Sequence, residues 1–224
     1  MTRPTEKLAI VISLLVPLAG VFFLGWSAAT AIYLLWLDAY LVSFRLIPVT
    51  MYLARASIKR DPEESRNPVI DWITLPSLAL FAWAFLSLPV TIAGGALAEF
   101  VSLFKQGGFE GEAYGLILQS PWAFAVLLGA RFSQASRELA VARATGEPAF
   151  AGLFKGLAAL VAYRAGVLFV LGGASGMLVA DYPQAPRVLL VLAVFALIAV
   201  ELHALDWFQP ARASFATGNI RSTG

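Results

Sequence analysis

Long apolar runs separated by short polar flanks make up the chain, and runs of this length predict helices rather than strands. A helix that crosses a bilayer needs about 20 predominantly apolar residues. Candidate runs are Leu8–Leu24, Ser27–Leu53, Ile73–Leu97, Tyr114–Ala130, Leu153–Ala180 and Pro186–Phe208. The fourth is the least regular, because Gln119, Ser120 and Pro121 interrupt it and Arg131 closes it, so a tilted or re-entrant segment is the alternative there. The pattern predicts an all-α, polytopic transmembrane helix bundle of about six spans. It occupies residues 1–224 as a single membrane-embedded domain, with no internal repeat, low-complexity tract or soluble domain.

The polar flanks refine this division. Gly25-Trp26-Ser27 leaves room for little more than a tight turn, so the first two spans form an antiparallel hairpin with Trp26 at the outer interface. Asp61-Pro62-Glu63-Glu64 opens a solvated inner loop. Leu97–Lys105 has apolar residues at helical spacing and is expected along the outer surface, ended by Gly107-Gly108. Phe132–Ala144 reads as a separate amphipathic helix at the inner interface, with Arg131, Arg137, Glu138 and Arg143 on its polar side and Gly146-Glu147-Pro148 as its stop.

Charge fixes the expected orientation. With the amino terminus in the cytoplasm, the inner flanks collect Arg3, Lys7, Arg55, Lys59, Arg60, Arg66, Arg131, Arg137, Arg143, Lys155, Arg212 and Arg221. The outer flanks hold Lys105 and Arg187, so cytoplasmic Lys and Arg predict both termini inside and a multi-pass protein of the cell inner membrane.

Composition agrees with this picture and removes several function classes. The chain is 59% hydrophobic and 13% charged with a mean hydropathy of +0.78, against about 45–50% apolar and about 25% charged for a soluble domain. That excess apolar surface makes the lipid bilayer the first partner, with other membrane subunits as further candidates. The net charge of +2 is not gathered into a basic run or a basic stripe interleaved with aromatics, so nucleic acid is not expected. Without cysteine there is no disulfide, thiolate metal site or cysteine nucleophile. Met1–Lys7 followed by an apolar run mimics a signal peptide, and Ser27-Ala28-Ala29 supplies small residues for cleavage. Cutting there would leave another apolar span at the new terminus, so the first segment is read as a retained anchor.

The candidate chemistry lies in ionisable residues inside the spans: Asp38, Arg45, Arg164, Glu201, His203 and Asp206. Exposed to lipid, an Arg or Asp at a helix centre costs about 2.5–3.5 kcal/mol on insertion scales, so such residues face the bundle interior and find partners. Counting about 1.5 Å per residue from the inner basic flanks puts Arg45, Arg164, Glu201 and His203 in one layer, with Asp38 about 10 Å further out. Glu201 is the expected counter-ion of one or both arginines. Asp38, Arg45, Arg164, Glu201 and His203 are therefore expected to form a buried polar cluster. It serves either as a ligand pocket or proton relay, or simply as an ion-pair network that fixes helix packing.

Other motifs carry less. Ala199-x-x-x-His203-x-x-x-Trp207 has the spacing by which light-harvesting polypeptides present histidine to a chlorophyll magnesium. Pigment or haem at His203 is therefore the alternative to a plain polar histidine. A metal set of His203, Glu201 and Asp206 has suitable ligand types, but Glu201 and Asp206 fall on other helix faces, and no metal is expected. Gly152-x-x-x-Gly156 and Gly172-x-x-x-Gly176 read as close helix contacts, and Pro48 and Pro89 as kinks. Ser175 has no histidine or lysine near it in sequence to make it a nucleophile. No catalytic constellation emerges.

The run Leu15–Trp26 with its Gly25-Trp26 turn, followed by Ile32-Tyr33-Leu34-Leu35-Trp36-Leu37-Asp38 and Phe44-Arg45, resembles an uncharacterised bacterial multi-span membrane protein family. In that family a Gly-Trp turn precedes a Tyr/Trp-x-Glu-Asn pattern and an arginine, and the last helix carries an acid near a histidine. Asp38 stands here for the glutamate and Ala39 for the asparagine, while Glu201 with His203 or Asp206 matches the last helix. The resemblance implies a first hairpin and a joint role for Asp38 and Arg45, and brings no activity with it. The expected function is therefore a non-enzymatic integral membrane protein, either an accessory subunit of a larger assembly or a small-ligand binding or transport protein. The alternative is a membrane enzyme acting on a lipid or isoprenoid, with Asp38 or Glu201 as general base.

Overall fold

The computed structural model describes residues 4–52, 68–102, 120–145 and 148–207. Every regular element among them is helical: α1 (Pro4–Phe23), α2 (Ala28–Phe44), α3 (Pro68–Ser102), α4 (Pro121–Thr145), α5 (Pro148–Leu178) and α6 (Ala185–Trp207). Four of these begin at proline, whose fixed φ suits the first helical position and whose missing N–H would have no intrahelical partner there. At α2 the N-cap is Ser27, whose hydroxyl accepts the Thr30 backbone N–H at 3.0 Å. Beyond Phe44 the backbone makes a turn at Arg45 and resumes as helix over 46–52. Pro48 accounts for the break, since it cannot donate to the Phe44 carbonyl four residues back.

Among the described residues, Ala28–Tyr52, Pro76–Glu99, Phe154–Leu178 and Ala185–His203 are long and apolar enough to cross a membrane, and Lys7–Phe23 is apolar but shorter. The fourth helix departs from expectation. It does not end at Ala130 but runs from Pro121 through Arg131 to Thr145, so the amphipathic segment expected as a separate interfacial helix is its continuation. The expected Tyr114–Gln119 portion lies outside the described residues, as do Lys105, Gly107 and Gly108. Leu97–Ser102 simply extends α3.

α2 is the central helix and touches each of the other five. Its buried side chains and those of its continuation past the turn follow the heptad-like series Ala31, Leu35, Asp38, Val42, Arg45 and Val49. Against α3 it forms an antiparallel aromatic seam. Trp36 Nε1 donates to the Val90 carbonyl at 3.0 Å, and Trp83 Nε1 donates to Ser43 Oγ at 2.9 Å. Tyr40 shares a hydrogen bond with Thr91, and its ring stands edge-on to Trp36 at 5.2 Å. Gly94 makes this seam possible, because a Cβ there would come within 2.3 Å of Trp36 Nε1.

At the turn between α1 and α2, Trp26 is 8% exposed and folded back over Gly20, whose carbonyl accepts the Trp26 N–H at 3.0 Å. A Cβ on Gly20 would fall inside the indole ring. The slot opened by glycine, together with Trp122 at 6.0 Å between ring centroids, packs the ring onto the bundle.

Candidate functional site

Four helices carry a charged residue where their buried stripe calls for an apolar one. On α2 it is Asp38. On α4 the stripe runs Ala123, Leu127, Arg131, Gln134, Glu138, Ala142; on α5 it runs Leu157, Val161, Arg164, Leu168; on α6 it runs Leu190, Val194, Leu197, Glu201. The bundle therefore brings Asp38, Arg131, Arg164 and Glu201 together at exposures of 1%, 3%, 0% and 3%.

They form a closed ring of alternating sign. Arg131 presents a fork to Asp38, with Nε donating to Oδ1 at 2.7 Å and Nη2 to Oδ2 at 2.5 Å. Its other edge meets Glu201, with Nη1 and Nη2 donating to Oε2 and Oε1 at 3.2 Å each. Nη1 also donates to Gln134 Oε1 at 2.9 Å, so every N–H of Arg131 has an acceptor. Arg164 closes the circuit from the opposite side: Nη1 donates to Asp38 Oδ2 at 2.7 Å, and Nη2 lies against Glu201 Oε1 as an ion pair rather than an aligned hydrogen bond. Two guanidiniums and two carboxylates sum to zero charge. A low-dielectric interior tolerates the set only in this mutually saturated form.

A second ion pair lies beside the ring. Arg45 Nε donates to Glu138 Oε2 at 3.1 Å, and its Nη2 pairs with Glu138 Oε1. Arg45 follows Asp38 by seven residues and Glu138 follows Arg131 by seven, so α2 and α4 run parallel and meet twice, two helical turns apart. The polarity reverses between the two meetings. A slip of seven residues would set Asp38 against Glu138, so the pairs define one register.

Of the residues expected in the buried cluster, the structure brings Asp38, Arg164 and Glu201 together. Arg45 sits outside the ring with Glu138, and His203 is exposed on α6, two residues and more than half a turn round from Glu201. The layer estimate assumed straight, upright helices, and under that assumption Asp38 and Arg45 exchange places. The Asp206 side chain lies outside the described residues. Arg131, expected as an inner-face topology marker, is instead the ring's most highly bonded member.

Two signals in the sequence pointed to Arg131: the four- and three-residue spacing that puts it on the Leu127–Glu138 stripe, and the seven-residue interval shared with Asp38 and Arg45 in opposite polarity. Besides Arg164 Nη2, three buried groups, Arg164 Nε, Ser175 Oγ and Thr50 Oγ1, have no hydrogen-bond partner among the described residues, and of these only Arg164 Nε belongs to the ring. Comparison with known proteins finds nothing similar: no family model, no curated protein and no solved structure matches the chain.

Proposed function

We propose that this is a non-enzymatic multi-span membrane protein that binds or transports a small ligand at the ring formed by Asp38, Arg131, Arg164 and Glu201. The observation that carries the reading is the convergence of four buried charges from four helices in a bundle whose apolar helices suit a bilayer. Holding a bundle together needs no such ring, since apolar residues of similar volume in place of a buried ion network are often neutral or stabilising by about 1–4 kcal/mol. Ionisable residues kept in a membrane interior mark ligand and ion pathways. Asp38 and Glu201 are each held by two guanidiniums, which argues against either as the general base of a lipid enzyme.

The setting that goes with this reading is a bacterial inner membrane crossed six times, with both termini in the cytoplasm. The parallel run of α2 and α4 supports such an alternation. Reporters fused after Arg66 and after Gly108 are expected on opposite sides of the membrane.

Native mass spectrometry from mild detergent tests the ligand reading. The wild type is expected to retain a small molecule that the variant Asp38→Asn with Arg131→Gln has lost while keeping its helical spectrum. Identical small-molecule content in the two would contradict the proposal. Protein subunits in its place would make the chain an accessory component.

A further inference from the structure

The ring is asymmetric in how its members are supported. Asp38, Arg164 and Glu201 belong to helices with continuous apolar stripes: α5 buries Leu157, Leu160, Val161 and Leu168, and α6 buries Leu190, Val194 and Leu197. Among the described residues α4 buries only Leu127 and two alanines, Ala123 and Ala142, as apolar groups. In a bilayer, helix packing comes from side-chain contacts rather than from removal of apolar surface from water, and α4 supplies the fewest buried apolar side chains of the four, so it is the least strongly packed. Polar side chains supply much of what holds it, with Arg131 and Gln134 in the ring and Glu138 against Arg45.

The receptor that Arg131 occupies has a definite chemistry. Without it, Asp38, Glu201 and Arg164 sum to one negative charge. The two carboxylates bracket two edges of one planar guanidinium, each offering both oxygens to adjacent N–H groups. That geometry matches a planar fork of donors and suits a spherical or tetrahedral cation less well. Arg164 Nε, fully buried, is one further donor without an acceptor among the described residues; a guanidinium or amidinium headgroup carries donors only, so filling it takes an acceptor elsewhere on the ligand.

We infer that Asp38 and Glu201 form a binding site for a small guanidinium- or amidinium-type cation, and that Arg131 is the tethered cation that fills it when no ligand is bound. The inference rests on the ligand-binding reading above and names the ligand class. An incoming cation displaces the Arg131 side chain together with the loosely packed α4, and the ring's charge balance is the same before and after. Arg131 thus competes with the ligand, and the wild type binds it only through the fraction of molecules in which Arg131 has swung out.

Ethylguanidinium is the fragment that Arg131→Ala removes, and thermal unfolding in detergent is the readout. Ethylguanidinium is expected to raise the Tm of Arg131→Ala saturably, while sodium and tetramethylammonium at equal ionic strength leave it unchanged. The wild type is expected to shift the same way at a concentration about tenfold or more higher, as for a minor state populated at about 0.1–10%. Should Arg131→Ala not accumulate, Arg131→Lys keeps the charge with fewer donors and is expected to respond between the two. Asp38→Asn with Arg131→Gln is expected not to respond.

Equal shifts with sodium, or a wild type unmoved at about a thousandfold excess over the concentration that saturates Arg131→Ala, would overturn the inference and make Arg131 a permanent structural ion. A small anion or neutral molecule that the wild type retains and the neutralised variant loses, with no cation response, would overturn the ligand class and leave the ligand-binding reading standing. If neither cation nor retained molecule is found, both readings fail.

Discussion

Two seams meet along α2, and they are made of different materials. Toward α3 the contacts are indole, phenol and hydroxyl groups, neutral and partly exposed. Toward α4 the contacts are guanidiniums and carboxylates, buried and shared, so that Asp38 serves Arg131 and Arg164 at once. An aromatic seam can lose one member and keep the rest, because no neighbour is left ionised when a neutral group is removed. The charged seam cannot, because removing one member leaves its partners ionised in a low dielectric. The difference also shows in what each seam specifies: ring contacts tolerate small slips, whereas the reversed polarity of Asp38–Arg131 and Arg45–Glu138 admits one register.

The sharpest way to break this contrast is Arg131→Leu. It strands two carboxylates on a single arginine and is expected to cost about 3–5 kcal/mol, the largest loss of any single change described here. Unfolding in mixed micelles measures it, and a loss no greater than that of an aromatic substitution would erase the distinction between the seams. Next comes Gly94→Val, which forces side-chain carbons into Trp36 and is expected to cost about 1–3 kcal/mol through overpacking. A fully stable Gly94→Val protein would mean that Trp36 does not pack there.

Arg45→Gln should cost about 1–3 kcal/mol by leaving Glu138 short of its charged partner. The exchange Arg45→Glu with Glu138→Arg should recover most of that loss, which sharpens the claim about register. The smallest effect belongs to Trp36→Phe, which keeps most of the ring but gives up the bond to the Val90 carbonyl, at about 0.5–1.5 kcal/mol.

The helices were legible because apolar runs of bilayer length have few other uses. Their ends were less so. The α4 boundary was misplaced because a single arginine after an apolar run has the same appearance whether it meets headgroups or a carboxylate inside the bundle. Asp38, Arg164 and Glu201 stood out because each interrupts an apolar helix far from any flank. Arg131 lies at the edge of a weaker apolar run, and its partners are 93 and 70 positions away in sequence, a relation that no local pattern records. The packing of Trp26 was hidden for a similar reason: its meeting with Gly20 and Trp122 is a contact that no local pattern records.

The central claim is that Arg164 and Glu201 belong to one buried, mutually neutralising ring, and a double-mutant cycle tests it most directly. Arg164→Leu leaves the ring with one excess negative charge and should be strongly destabilised. Arg164→Leu with Glu201→Leu leaves Asp38 and Arg131 as a neutral pair and should recover part of the loss. Recovery in the double variant is the predicted result. Losses that simply add, with the double variant less stable than either single change, would contradict the ring.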